Sequence, residues 1–254
     1  MNLTEKAFRA IIGTWETLLF HWPRLVVLGC VGITFGGDRQ FWAWLPRVVH
    51  SAHLEGMPMK NRLIYQSSEY DCGPTSVTNA IRFLFERAEI PPAVLKHIWI
   101  MGIDTFSADG EPGKEGTSKA SMRYMDAWLE CFAENCQFPI KTAFLDMEFA
   151  TVQPGSPAWR CLERGGCVVM RCSLGGDGHY VLLTRIVSQK KVGLFDPYDE
   201  YPDPDDPARE YVFDQPKALN RIVDATILNA IDYSDYAMGP LEKRELLLFW
   251  RSDQ

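Results

Sequence analysis

The segment Gln66-Ser67-Ser68-Glu69-Tyr70-Asp71-Cys72-Gly73-Pro74-Thr75-Ser76 holds the residue types best suited to chemistry. Cys72 stands just before a Gly-Pro-Thr-Ser turn that leads into an apolar-faced run. At a helix start the unpaired N–H groups and the helix dipole favour an anion, and a thiolate is such an anion. A side-chain amide six residues upstream, Gln66, is placed to donate to a developing oxyanion. Among five histidines, His179 follows the turn Gly175-Gly176-Asp177-Gly178 and opens the apolar run Tyr180-Val181-Leu182-Leu183. Seventeen residues later Asp196 ends the next apolar run. If the two runs form a hairpin that turns near Lys190, His179 and Asp196 share its open end. Asp196 can then orient the imidazole by accepting from one ring nitrogen. Asp177 is a second conceivable partner, but its glycine turn points to a solvated or substrate-facing role. Asp71 reads as a loop-fixing residue, since a neighbouring negative charge disfavours a thiolate.

The elements that must position these groups follow from periodicity. Val77, Ala80, Ile81, Leu84 and Phe85 share one face of a helix predicted over Cys72–Arg87. A short helix is predicted over Ala93–Met101 behind Pro91-Pro92. Residues 107–116 read as a loop, and Thr117 or Ser118 caps a helix running to about Phe132. A strand is predicted at Lys141–Leu145 and a short helix at Trp159–Glu163, closed by Gly165-Gly166. Cys167–Cys172, Tyr180–Val187 and Val192–Phe195 then form an antiparallel meander. Asp199–Glu210 is acidic and Pro-rich, a solvated loop over the cleft that lacks the ligand order of a calcium loop. Ile222–Ile231 fits helix or strand, and Glu245–Trp250 is a closing strand. Helices first and an antiparallel sheet second is an α+β order.

Composition excludes several classes. A chain of 254 residues that is 46% hydrophobic is too apolar to be disordered, and a net charge of -7 opposes nucleic-acid binding through phosphates. Residues 1–62 carry seven Lys/Arg against four Asp/Glu, whereas the rest is strongly acidic, so a junction is expected near residue 60. We read 1–61 as an N-terminal helical extension, with a helix over Leu3–Leu19. It is a cap or a protein-partner or membrane-surface element. The domain proper is 62–254. The longest apolar run, Leu25–Ile33, is about half the length of a membrane span. Arg24 also spoils the lipoprotein-like Val27-Leu28-Gly29-Cys30 pattern. His50 and His53 read as surface residues. Seven cysteines with no paired C-x-x-C spacing fit a reduced, cytoplasmic protein without a metal site, and Cys131, Cys136, Cys161, Cys167 and Cys172 read as buried core thiols.

The Gln66…Asp71-Cys72-Gly73-Pro74-Thr75, Glu115-Gly116-Thr117-Ser118 and Gly178-His179…Asp196-Pro197 blocks together resemble the C39 and C39-like cysteine peptidase group, over roughly residues 62–200. The resemblance implies a bacterial enzyme with a papain-like α+β fold. It implies Cys72 as nucleophile, His179 as general base and acid, Asp196 as its orienter and Gln66 as oxyanion donor, with no cofactor. The substrate would be a peptide or small acyl compound. True C39 domains accompany an exporter's membrane and ATPase parts. Here Gly110-Glu111-Pro112-Gly113-Lys114-Glu115 lacks the Ser/Thr of a Walker A loop, so a leader-peptide substrate does not follow. The same site could serve an acyltransferase or transpeptidase, or survive in a non-catalytic peptide-binding module.

Overall fold

In the computed structural model, residues 61–198 and 209–253 are described, all within the second of the chain's two compact units, Pro58–Gln254. The expected N-terminal helix, Cys30, His21, His50, His53 and most of the acidic Asp199–Glu210 tract lie outside the described residues. The fold is α+β. Among the described residues seven strands form one antiparallel sheet: β1 (Ile140–Asp146), β2 (Cys167–Leu174), β3 (Asp177–Ile186), β4 (Lys191–Phe195), β5 (Arg209–Tyr211), β6 (Arg221–Asp224) and β7 (Glu245–Arg251). Their spatial order is β1-β7-β2-β3-β4-β6-β5, so the meander β2-β3-β4 lies at the centre.

Alternation along the strands sends side chains to two cores. Cys167, Val169, Tyr180, Leu182, Leu247 and Phe249 join the core shared with α1 (Cys72–Leu84), α2 (Pro92–Met101) and α3 (Lys119–Cys136). Val168, Met170, Val181, Leu183, Leu246 and Leu248 join the core on the other face, with α4 (Pro157–Glu163) and the short α5 (Ala225–Leu228). Because β2, β3 and β7 are covered on both sides, they read as continuous apolar runs rather than alternating ones. No helix among the described residues is long and apolar enough to cross a membrane.

α1 forms where the apolar spacing predicts it, with Val77, Ala80 and Ile81 fully buried, and it ends at Leu84 rather than Arg87. The hydroxyl of Ser76 donates to the Tyr180 carbonyl at 2.9 Å and fastens α1 to β3. Asn79 holds the segment before the helix. Its Oδ1 accepts from Ile64 N and its Nδ2 donates to Ile64 O, both at 2.8 Å. α3 is capped by Ser118, whose hydroxyl accepts from Ser121 N, and it runs four residues beyond the expected end. The ambiguous 222–231 stretch is both things in turn. β6 comes first, and then Asp224 accepts from Thr226 N and caps α5.

Three expectations are corrected. Cys131 and Cys136 are exposed, because the buried face of α3 is built from Met122, Met125, Leu129 and Ala133. The strand carrying His179 starts at Asp177, not Tyr180. The turn shrinks to Gly175-Gly176, both at positive φ. Arg209–Tyr211 is strand, paired to β6, rather than the end of a loop.

Candidate active site

The first turn of α1 is fixed from both sides. Upstream, the buried Asp71 carboxylate accepts from Ser67 N (3.1 Å), Ser67 Oγ (2.7 Å) and Ser68 N (3.0 Å), folding the loop that carries Gln66. The Asp71 carbonyl accepts from Thr75 N at 3.0 Å and closes the turn. Cys72 is therefore the first helical residue, and its own N–H has no intrahelical acceptor. Downstream, Gly73 lies against Thr117. A Cβ on Gly73 would stand 2.6 Å from Thr117 Cβ and closer still to its hydroxyl. Thr117 follows Gly116, at φ 76°, and its hydroxyl donates to the Gly102 carbonyl. The Glu115-Gly116-Thr117-Ser118 block thus forms a wall beside the cysteine and starts α3.

His179 projects from β3, paired in register with Cys172 of β2. Its Nε2 meets Asp196 Oδ1 at 2.7 Å. The Cys72 thiol lines the same cavity as the ring, near enough to help raise the pKa of the imidazole, and with Nε2 occupied by Asp196 the ring's Nδ1 is left for a proton exchange with it. Asp196 is completely buried at the end of β4 and accepts three bonds. His179 and Tyr198 N (2.9 Å) share Oδ1, and the Tyr236 hydroxyl takes Oδ2 at 2.7 Å. Asn220 extends the ladder past β4, accepting from Asp196 N and donating to Asp196 O, each at 2.8 Å. Tyr198 stands edge-on to the imidazole, ring centres 6.4 Å apart.

The electrostatics of the pair agree from both sides. Burial lowers the pKa of His179, but the bonds and charges of Asp196 and Cys72 outweigh it and push it up to about 10. Burial raises Asp196, and the His179 bond and charge, then Tyr236 and Tyr198, more than reverse that. The pair is a carboxylate and an imidazolium at neutral pH. Three further buried thiols are shifted upward. Desolvation pushes Cys161 up to about 11 and Cys167 and Cys172 well above the ordinary thiol range, so these three stay protonated.

Gln66 reaches the same place through its backbone, Gln66 N donating to Pro197 O at 2.9 Å. Its side-chain Nε2 gives one hydrogen to Ser68 O at 2.9 Å, which leaves the second for a ligand. Gln66, Cys72, Gly116, Arg171, His179 and Tyr198 all line one cavity of about 830 Å³. All four residues singled out from the sequence therefore meet: three line the cavity and Asp196 lies behind His179. Asp177 lies exposed on the rim and Asp71 is buried in its loop, away from the imidazole's bonds. Tyr236, Asn220 and Arg171 were not legible beforehand. Tyr236 and Asn220 reach Asp196 from loops 40 and 24 residues away, with no spacing pattern to announce them. An arrangement of this kind can form a thiolate, move a proton through His179 and bind an oxyanion with Gln66 and the Cys72 N–H. Compared with known proteins, the chain matches no family model and no curated protein, so the chemistry of the site rests on its own geometry.

Proposed function

We propose that this chain is a cysteine peptidase of papain-like architecture, resembling the C39-like group, working in a reducing, cytoplasmic compartment. The observation that carries the reading is that an imidazole bonded to the buried Asp196 lines one cavity together with Cys72, at a helix start, and Gln66. A helix that begins with the cysteine, packed on an antiparallel sheet whose neighbouring strands bear the histidine and aspartate, supports the fold assignment. Six free thiols among the described residues support the compartment.

In this mechanism the Cys72 thiolate attacks the scissile carbonyl carbon and a C–S bond forms. The oxyanion takes hydrogen bonds from the free Gln66 Nε2–H and the Cys72 N–H. His179 gives its proton to the leaving nitrogen, and the C–N bond breaks. The acyl-enzyme is opened by water, which loses its proton to His179 as the thiolate departs. Asp196 holds the ring and its charge throughout. The test is site-resolved alkylation by iodoacetamide at neutral pH, followed by mass spectrometry. Cys72 should react well ahead of the exposed Cys131 and Cys136, and His179→Ala should remove the difference. Equal rates in the wild-type protein overturn the reading. An added amine that diverts the acyl product from water would mark acyl transfer at the same site.

A further inference from the structure

The cavity wall contains a cation that the hydrolytic steps leave unused. Arg171 projects from β2, opposite Tyr180 and one residue from the Cys172–His179 pair. Its Nε faces Glu245 Oε1 at 3.9 Å, and its Nη2 lies over Gly178, 2.5 Å from where a Cβ would stand. Gly178 is thus the space the guanidinium occupies, immediately before His179. The side chain remains 27% exposed, toward the cavity. Among the described residues no protein acceptor holds its Nη groups in a hydrogen bond.

The one carboxylate behind it is occupied elsewhere. Glu245 is 2% exposed and takes the Tyr180 hydroxyl on Oε1. Desolvation pushes its carboxyl upward despite that bond, so it neutralises Arg171 less than an exposed carboxylate would. Asp235, also on the wall, is paired with Arg209 at 2.9 Å and accepts from Gly175 N. Glu69, Glu115 and Asp177 are exposed rim groups. A guanidinium with a free two-pronged edge is matched to a carboxylate, which it grips through two parallel hydrogen bonds.

We propose that Arg171 is a specificity residue that binds a carboxylate of the substrate next to the scissile bond. The inference rests on Cys72 being the nucleophile. The experiment compares alkylation of Cys72 in the full chain by iodoacetate, which carries a carboxylate, and by neutral iodoacetamide. In Arg171→Met the iodoacetate-to-iodoacetamide rate ratio should fall at least about tenfold, the effect of losing one charge-assisted contact. Arg171→Lys should restore part of it. The drop should persist at about 0.5 M KCl, where the screening length is about 4 Å and only a direct contact survives. Arg171→Met/Glu245→Gln repeats the measurement should the single variant fold poorly with Glu245 left alone. A ratio that stays within twofold of wild type while Cys72 remains the fastest thiol overturns the Arg171 assignment only. A wild-type Cys72 no faster than Cys131 overturns the nucleophile reading instead. Protection of Cys72 by acetyl-Ala-Ala with a free C-terminus assigns the carboxylate to a chain end. Protection by acetyl-Asp-Ala-amide assigns it to a side chain. Equal protection by acetyl-Ala-Ala-amide, or by none, overturns a carboxylate preference.

Discussion

Replacing Asp196 by Asn removes a charge while keeping the shape. An amide oxygen in the place of Oδ1 still accepts from His179 Nε2 and Tyr198 N. The amide NH2 in the place of Oδ2 faces the Tyr236 hydroxyl, which can rotate to accept. What disappears is the negative charge beside a histidine that is only 6% exposed. Asp196 leads the groups that raise His179, whose pKa stands at about 10 against 6.5 for a free imidazole. Each pH unit of that rise corresponds to about 1.4 kcal/mol. If Asp196 accounts for half of it, the imidazolium loses roughly 2–3 kcal/mol and the ratio of imidazolium to imidazole at a given pH falls roughly 50–100-fold. The assay is the pH profile of Cys72 alkylation by iodoacetamide. Asp196→Asn should leave most of the rate at pH 7, where the imidazole is still charged, and lower it by a factor approaching that ratio near pH 10. It should also move the alkaline limb of the profile down by about two pH units. A rate within threefold of wild type near pH 10 and an unmoved limb would refute the role assigned to Asp196.

Two further outcomes follow from the same structure. His179 has a folded-state pKa above its unfolded value. Its contribution to stability is therefore complete below pH 6.5 and is lost as pH rises toward about 10. In Cys72→Ala, where the thiol does not titrate, urea midpoints should fall across this window, ending short of pH 10, at no more than about 1.4 kcal/mol per pH unit. Asp196 is lowered, so its contribution is present above its unfolded pKa and is lost as pH falls through the depressed value. A flat profile above pH 6.5 would count against the charged pair. Gly73→Ala would press a methyl into Thr117, so urea unfolding should show a loss of about 1–3 kcal/mol; an unchanged midpoint would mean that the Thr117 wall yields freely.

Local signals carried much of this fold. The helix start at Cys72, the Ser118 cap and the β2-β3-β4 meander each follow from a periodic apolar run bounded by turn residues, and the structure has them within a few residues. The failures have physical causes. Cys131 lies two positions beyond the buried Leu129, which is about 200° around a helix, so its exposure was readable from angle rather than from residue type. Gly178 looked like a turn because glycine weakens strands; here it continues β3 because Arg171 fills the space above it. Tyr236 and Asn220 obey no local rule. Their value arises only where distant loops converge on Asp196.

The strand order has a consequence for how the chain reaches its native state. β2, β3 and β4 pair with near neighbours in sequence, so their hairpins can close early. β7 must then return across roughly eighty residues to lie between β1 and β2, matching Phe249 to Cys167 and Arg251 to Ile140. Such non-local closure is the slow step of sheet assembly. Until it happens, the apolar edge of Val168-Val169-Met170 stands open, a template for pairing with a second chain. Substitutions that delay the docking of β7 therefore act first on yield and aggregation, even when the cysteine, histidine and aspartate are untouched.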